Sequence, residues 1–315
     1  LRKWWRHGDA REATASGTAP RPTSPEEHEN RLSLYWQAQV ESGQPAYVHA
    51  VRHPVATARA VVDVLALPRV EARLSQDGDG PLIRRYLSRR TKGTLPIAST
   101  GVCLLPVPAD PAEYSTGSNR QTLRRKVRAA EKAGVTWRRV DDPAEQVGLA
   151  RQLDRFLQEK SDHRYRQYGT DHTFMVGVGL WIVACDPSGT PLVLAVAPID
   201  GEWAMLLCFI SLGETRQHSD ARYLLTQVLV ESLAVRGVRH LVDTASPHEL
   251  TNGLRHFQRM LGFRIGRVRL APSAGAPAAA PEAVQQSDAR SSVVTVLGPQ
   301  QSPPQDRDHP NAAIS

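Results

Sequence analysis

Three apolar runs, Leu180–Cys185, Leu192–Ile199 and Trp203–Leu212, constrain this chain more than any other feature. Each reads as a strand. Turn signals separate them: Asp186–Gly189 after the first, the dipeptide Asp200–Gly201 after the second. An Asp-Gly pair between apolar runs marks a two-residue hairpin, because such a turn needs positive φ at its centre. The three runs therefore predict a meander.

Helical patterns flank it. Ala144–Lys160 comes before, with Val147, Leu149, Leu153, Phe156 and Leu157 mostly on one side. Ala221–Arg236 comes after a polar loop, Gly213–Asp220, and carries Leu224, Leu225, Val228 and Leu229 at helical spacing before Gly237 stops it. A strand (Val238–Asp243), a helix (Glu249–Leu261) and a last strand (Phe263–Leu270) complete the order. Upstream, Ser118–Val135 reads as one basic helix. Ser118 or Asn119 caps it, Gly134 closes it, and Leu123, Val127 and Ala130 form its apolar side. Arg120, Arg124, Arg125, Lys126, Arg128 and Lys132 cover the rest, so that surface must face water or a polyanion. A strand, Val135–Val140, follows.

The N-terminal third is less regular. Ser24–Pro25–Glu26–Glu27 is a strong helix start, and that helix runs to about Ser42. Tyr47–Val51 reads as a strand, and Val55–Leu67 fits helix or strand. Asp77–Pro81 reads as a turn, Leu82–Arg90 as a short basic helix and Ile97–Pro106 as a strand. Residues 1–23 and 271–315 are too polar or too rich in Pro, Ala and Ser to bury a core, and are expected to be disordered.

The net charge of +7 favours acidic partners such as phosphates, nucleic acid or anionic lipid. Cys103, Cys185 and Cys208 lie far apart without zinc-ligand spacing, so they read as buried thiols in a reducing, cytoplasmic setting with no metal. The longest apolar run, Phe174–Cys185, falls short of the roughly 20 residues of a membrane span. No leader pattern opens the chain.

The order of elements, with the segments Arg128–Val135 (RAAEKAGV) and Gly253–Phe263 (GLRHFQRMLGF), resembles the GNAT acyltransferase superfamily. Within it the chain is similar to the Fem-like and BioF2-like acetyltransferase branch, over about residues 95–270. The resemblance implies an α/β (α+β) fold: a GNAT-like mixed central sheet flanked by helices, with a smaller N-terminal lobe. The expected organisation is a lobe at 24–94, a candidate degenerate half-GNAT, and an acyltransferase domain at 95–270. It also implies that Ala204–Leu212 and Val238–Asp243 are parallel strands that splay apart. Backbone groups in the gap would bind an acyl carbonyl.

The implied activity is N-acyl transfer, acetyl or other, from acyl-CoA to a small-molecule or peptide amine. The alternatives are an aminoacyl-tRNA-dependent Fem-like transferase and a non-catalytic protein that binds nucleic acid or an acidic partner. A base must take the amine proton. Glu202, Glu214, His240 and Asp243 lie on or beside the groove. His240 and Asp243, three apart on a strand, point to opposite faces. Asp243 is preferred because strand ends open into crevices, with Glu214 and Gln258 as the other catalytic candidates. Gln258 stands where many GNAT enzymes carry a Tyr and Fem-like proteins tend to carry Lys. Donor binding is expected at Phe209, Ile210, Arg216, Gln217, His218, Ser219 and Arg222, around the start of a helix. That loop lacks the glycine run of acetyl-CoA binders, Asp220 adds an acid to it, and Ser219 or Asp220 also suits a helix cap. Arg124, Arg125, Arg128, Tyr165 and Tyr168 are the candidates for acceptor or anion contact.

Overall fold

The computed structural model describes residues 24–91, 95–160, 166–248, 250 and 252–272. Of the segments expected to be disordered, 1–23 lies outside the described residues, as does 271–315 apart from Ala271 and Pro272, the Ala271 amide bonding the Ala72 carbonyl; Tyr165 also lies outside them. The fold is mixed α/β.

The chain begins with helix α1 (Pro25–Glu41), whose Ser24 and Glu27 form a reciprocal capping box. Helices α2 (Ala46–Arg52) and α3 (Pro54–Ala66) follow. The segment Tyr47–Val51, expected as a strand, is helical instead. Val48 and His49 donate their amides to Pro45, and no strand among the described residues pairs with them. Next come β1 (Arg69–Ala72), α4 (Gly80–Ser88), β2 (Arg90–Thr91) and β3 (Leu95–Pro96). The strand expected over Ile97–Pro106 is divided: one helical turn, α5 (Ile97–Thr100), then Gly101 at φ 127°, then β4 (Val102–Pro106).

The basic helix starts later than its sequence suggests. Ser118–Arg120 form a 3-10 turn, and α6 (Gln121–Lys132) has Arg120 at its N-cap with no side-chain capping bond. The stop is as expected: Gly134 takes φ 72°, and Val135 donates to Ala130. Leu123, Val127 and Ala130 are buried. Then follow β5 (Thr136–Arg139), α7 (Pro143–Gln158), β6 (Leu180–Cys185), β7 (Pro191–Ala197) and the hairpin strands β8 (Ile199–Asp200) and β9 (Trp203–Leu206), turned at Gly201 with φ 55°. The last elements are β10 (Cys208–Ser211), α8 (Arg216–Val235), β11 (His240–Asp243), α9 (Asn252–Leu261) and β12 (Arg264–Leu270).

The third run of the meander is thus two strands in two sheets. The larger sheet has the order β1-β12-β4-β11-β9-β8, and the smaller β10-β7-β6-β5. Leu207 sits at the break, its amide shared between Val196 and Met205 carbonyls. Leu207 and Cys208 together oppose Val196, which makes the break a β-bulge.

Helix α8 holds the two sheets together. Eleven of its 20 residues are buried, among them Leu225, Val228, Leu229 and Leu233. They pack on α6, α9 and one face of both sheets. The other face of the larger sheet packs on α4 and α5, and α7 covers the smaller sheet. The N-terminal helices join through β1, which pairs in parallel with β12, and through Leu32, Leu67 and Ile265. Among the described residues no helix is long and apolar enough to cross a membrane.

Candidate active-site cleft

Strands β9 and β11 run parallel for four registered pairs, from Trp203↔His240 to Leu206↔Asp243. Beyond Leu206 they part. β10 turns to pair with β7, while the chain after Asp243 turns toward α9. Strand order alone would leave the Leu206 carbonyl bare at the fork, but the Thr244 hydroxyl donates to it at 3.0 Å. The wedge is held open by side chains from α8 and α9. It is a narrow space of about 30 Å³, lined by Leu206, Phe209, Arg222, Asp243, Phe257 and Gln258 with their apolar neighbours.

The register of β10 decides which backbone groups meet the wedge. The Leu212 amide donates to Leu192, so the Ile210 and Cys208 amides also turn to β7. By the same alternation the Phe209 and Ser211 amides turn away from β7, toward the fork. Of the two strand residues singled out from the sequence, Phe209 therefore faces the cleft. Ile210 packs on the α7 side.

Asp243 closes the floor. Its Oδ1 accepts the Ala245 amide at 2.9 Å and its Oδ2 accepts the Gln258 amide at 2.6 Å. Removal from water pushes its pKa up to about 6, against the pull of those two bonds and of the Arg222 charge. The group is thus a carboxylate at neutral pH with a proton affinity well above that of an exposed Asp. Its backbone carbonyl accepts the Tyr86 hydroxyl at 2.9 Å from the opposite side of the sheet. Cys103, paired with Asp243 across β4, is buried beside Gln258. Burial raises its thiol well above the usual range and makes it an inert neighbour. His240, at the closed end of the same strand, stacks on Trp203 at 4.6 Å.

Arg222 enters from α8. Its guanidinium lies 4.4 Å from the Phe257 ring centre and 5.5 Å from that of Phe209. Burial lowers its pKa to about 10, and its Nε has no hydrogen-bond partner. Lys160, after α7, is held below its usual pKa by burial, opposed by Glu214.

The expected donor loop is arranged differently from the sequence reading. Helix α8 begins at Arg216, so Ser219 and Asp220 lie inside it and do not cap it. Thr215 takes the cap position, its hydroxyl 2.7 Å from His218 Nδ1. The Asp220 charge is met by Lys126 of α6 at 2.6 Å, a pairing that nothing local in either segment announces. The His218 ring lies against Gly213, so closely that a Cβ there would collide with it. Glu214, Arg216 and Ser219 are exposed, and Gln217 is half-buried.

The fork thus brings together Asp243, Gln258, Arg222 and Phe209 from the sequence candidates. It does not bring in Arg124, which donates to the Ser115 and Gly117 carbonyls, nor Tyr168, which is exposed. Arg125 and Arg128 are exposed on α6. Thr244 and Phe257 were missed. Phe257 adjoins Gln258 in the segment that carried the resemblance, but its partner Arg222 is 35 positions away. Among the described residues no group of His, Cys, Asp or Glu is placed to hold a metal.

No family model and no curated protein matches the chain. Several solved structures are similar in part, among them the following two. L-PGS from Bacillus licheniformis is 17% identical at TM-score 0.39, over 53% of this chain and 59% of that one. The C-terminal domain of an Agrobacterium fabrum protein named as a lysylphosphatidylglycerol synthetase is 14% identical at TM-score 0.39, over 52% and 57%. The chain spans less than two thirds of either, and overlaps this partial do not bear on function.

Proposed function

We propose that the fork between β10 and β11 is the active site of an N-acyltransferase, with Asp243 as its base. The observation that carries this reading is the pairing of a raised-pKa carboxylate with outward-turned backbone amides at a strand split. The amine nitrogen attacks the acyl carbonyl and Asp243 takes the amine proton. The Phe209 amide steadies the oxyanion. The new amide forms as the bond to the leaving oxygen or sulfur breaks, and Asp243 returns the proton to that atom. Gln258 holds the carboxylate in place and supplies no proton.

For the donor we favour aminoacyl-tRNA over acyl-CoA. The His218 ring covers Gly213, where a pyrophosphate would need open backbone, while Arg125 and Arg128 leave a basic face on the neighbouring α6. Three amides at the start of α8, those of Arg216, Gln217 and His218, keep acyl-CoA as the second reading. Residues 95–270 form the transferase unit in this reading, with 24–94 as its N-terminal lobe. Both donors are cytoplasmic molecules, and we place the reaction there.

The test is single-turnover transfer from labelled aminoacyl-tRNA, and separately from acetyl-CoA, to a panel of amines. Label should pass from aminoacyl-tRNA to an amine. Transfer from acetyl-CoA alone would reverse the choice of donor. Tight, steeply salt-dependent RNA binding with no transfer from either would replace the enzyme with a binding protein.

A further inference from the structure

Helix α9 has two working faces. Leu254, Phe257, Gln258 and Leu261 line the cleft, while Arg255, His256 and Arg259 line a separate groove against α1. At 100° per residue the two sets fall on opposite sides of the helix. The facing wall is Asn30, Ser33 and Gln37, one stripe of α1. The groove holds about 310 Å³, ample for a polar group and its waters.

The groove is positive. Arg255 gives its terminal nitrogens to three carbonyls, which satisfy its donors without cancelling its charge. Arg259, one turn on, makes a single long contact, 3.3 Å to the Ser33 hydroxyl. Two like charges at this spacing repel, and an anion beside them relieves the repulsion. The acids of α1 are engaged elsewhere. Glu26 and Glu29 lie 2.8 and 4.0 Å from Arg264, and Glu41 takes an N–H of Gln37 at 2.6 Å. Burial raises the Glu29 carboxyl to about 7, so it offsets only part of the neighbouring charge.

We propose that this groove binds a phosphate group of the acyl donor. The oxygens of a phosphate spread in three dimensions and can take donors from both walls: the Arg259 guanidinium and His256 imidazole on one, the Asn30 amide on the other. A carboxylate offers two oxygens in one plane. Leu34 supplies the apolar lining, too little to cover a hydrocarbon chain. The role in donor binding rests on the proposed transfer, whereas the phosphate site rests on the groove alone. Aminoacyl-tRNA and acyl-CoA both carry phosphates, so the ligand chemistry is shared. Helix α9 would then hold the donor on one side and position Asp243 through Gln258 on the other.

The experiment is calorimetric titration of the full chain with a short single-stranded RNA, with coenzyme A and with adenosine. A phosphate-bearing ligand should bind and adenosine should not. Arg259→Gln and Asn30→Asp should each weaken that binding about fivefold or more. Arg236→Gln, the same loss of charge at an exposed position outside the groove, should leave it unchanged. If the ligand is RNA, Arg259→Gln should also reduce the salt slope by about 0.7. A loss confined to RNA makes tRNA the source of the phosphate, and one confined to coenzyme A makes it the cofactor. Urea unfolding of the variants separates lost binding from lost folding. No binding of either ligand, full affinity in both groove variants, or an equal loss in Arg236→Gln overturns the assignment. Binding lost in Arg259→Gln, with no transfer from any donor, would leave this site standing and remove the transferase. Transfer by Arg259→Gln at an unchanged rate with limiting donor would remove this site and leave the transferase.

Discussion

Two arginines withdrawn from water, Arg255 and Arg222, are handled in opposite ways. Arg255 of α9 is 8% exposed and gives its terminal nitrogens to three carbonyls, those of Ser33, Pro247 and Leu250. It ties α1 to the loop before α9. Among the described residues Arg222 makes no hydrogen bond and rests against two rings. Both leave Nε without a partner, so the difference lies in the terminal nitrogens: those of Arg255 bind carbonyls, and those of Arg222 bind none among the described residues. The comparison separates a charge that joins two segments from one held against aromatic rings.

Replacing Arg255 sharpens it most. Arg255→Met should cost about 3–5 kcal/mol in urea unfolding, because three carbonyls lose a charged donor at once. A cost below about 1 kcal/mol would erase the contrast. Next comes Glu29, buried beside the same joint, whose carboxyl is pushed from 4.5 up to about 7 by burial against the pull of Arg264 and Arg259. The folded state holds this proton where the unfolded state has released it. Stability should therefore fall as pH rises from about 4.5 to about 7, by up to about 2–3 kcal/mol, and then level off. Glu29→Gln should flatten that slope in melts taken across the window.

The joint and the site were not equally legible in the sequence. Turns whose cause is local were readable: Asp200–Gly201, the stop at Gly134, the stop at Gly237 and the Ser24 capping box. The period of α8 was readable because one buried face repeats through the helix. What failed depends on distant partners. Trp203–Leu212 is uniformly apolar, and only the competition of β7 and β11 for its edge breaks it at Leu207. Tyr47–Val51 has strand-forming residues, but without a neighbour to pair with it closes as a helix. Asp243 was readable as a strand-end acid. The rings around Arg222 were not, because they come from β10 and α9 and meet only after the sheets divide.

Smaller effects test the site side of the comparison. Gln258→Met removes a hydrogen bond that favours the Asp243 carboxylate. The acid limb of the transfer rate should then move to higher pH, with little change at the plateau. Smallest of all, Arg222→Met should change stability by less than about 1 kcal/mol in either direction, since a donor that bonds nothing leaves no acceptor stranded when it goes. A loss as large as that of Arg255→Met would mark Arg222 as a second joint.

The most direct measurement is the rate of single-turnover acyl transfer from pH 5 to 8, in the unaltered chain and in Asp243→Asn, which keeps an oxygen for the Ala245 amide. The unaltered protein should show a rate that climbs through about pH 6, where the Asp243 carboxylate forms, and then flattens. The variant should lie about 10²–10⁴-fold lower, with that limb gone. A variant that keeps both the rate and the limb would contradict the assignment of the fork as the catalytic centre.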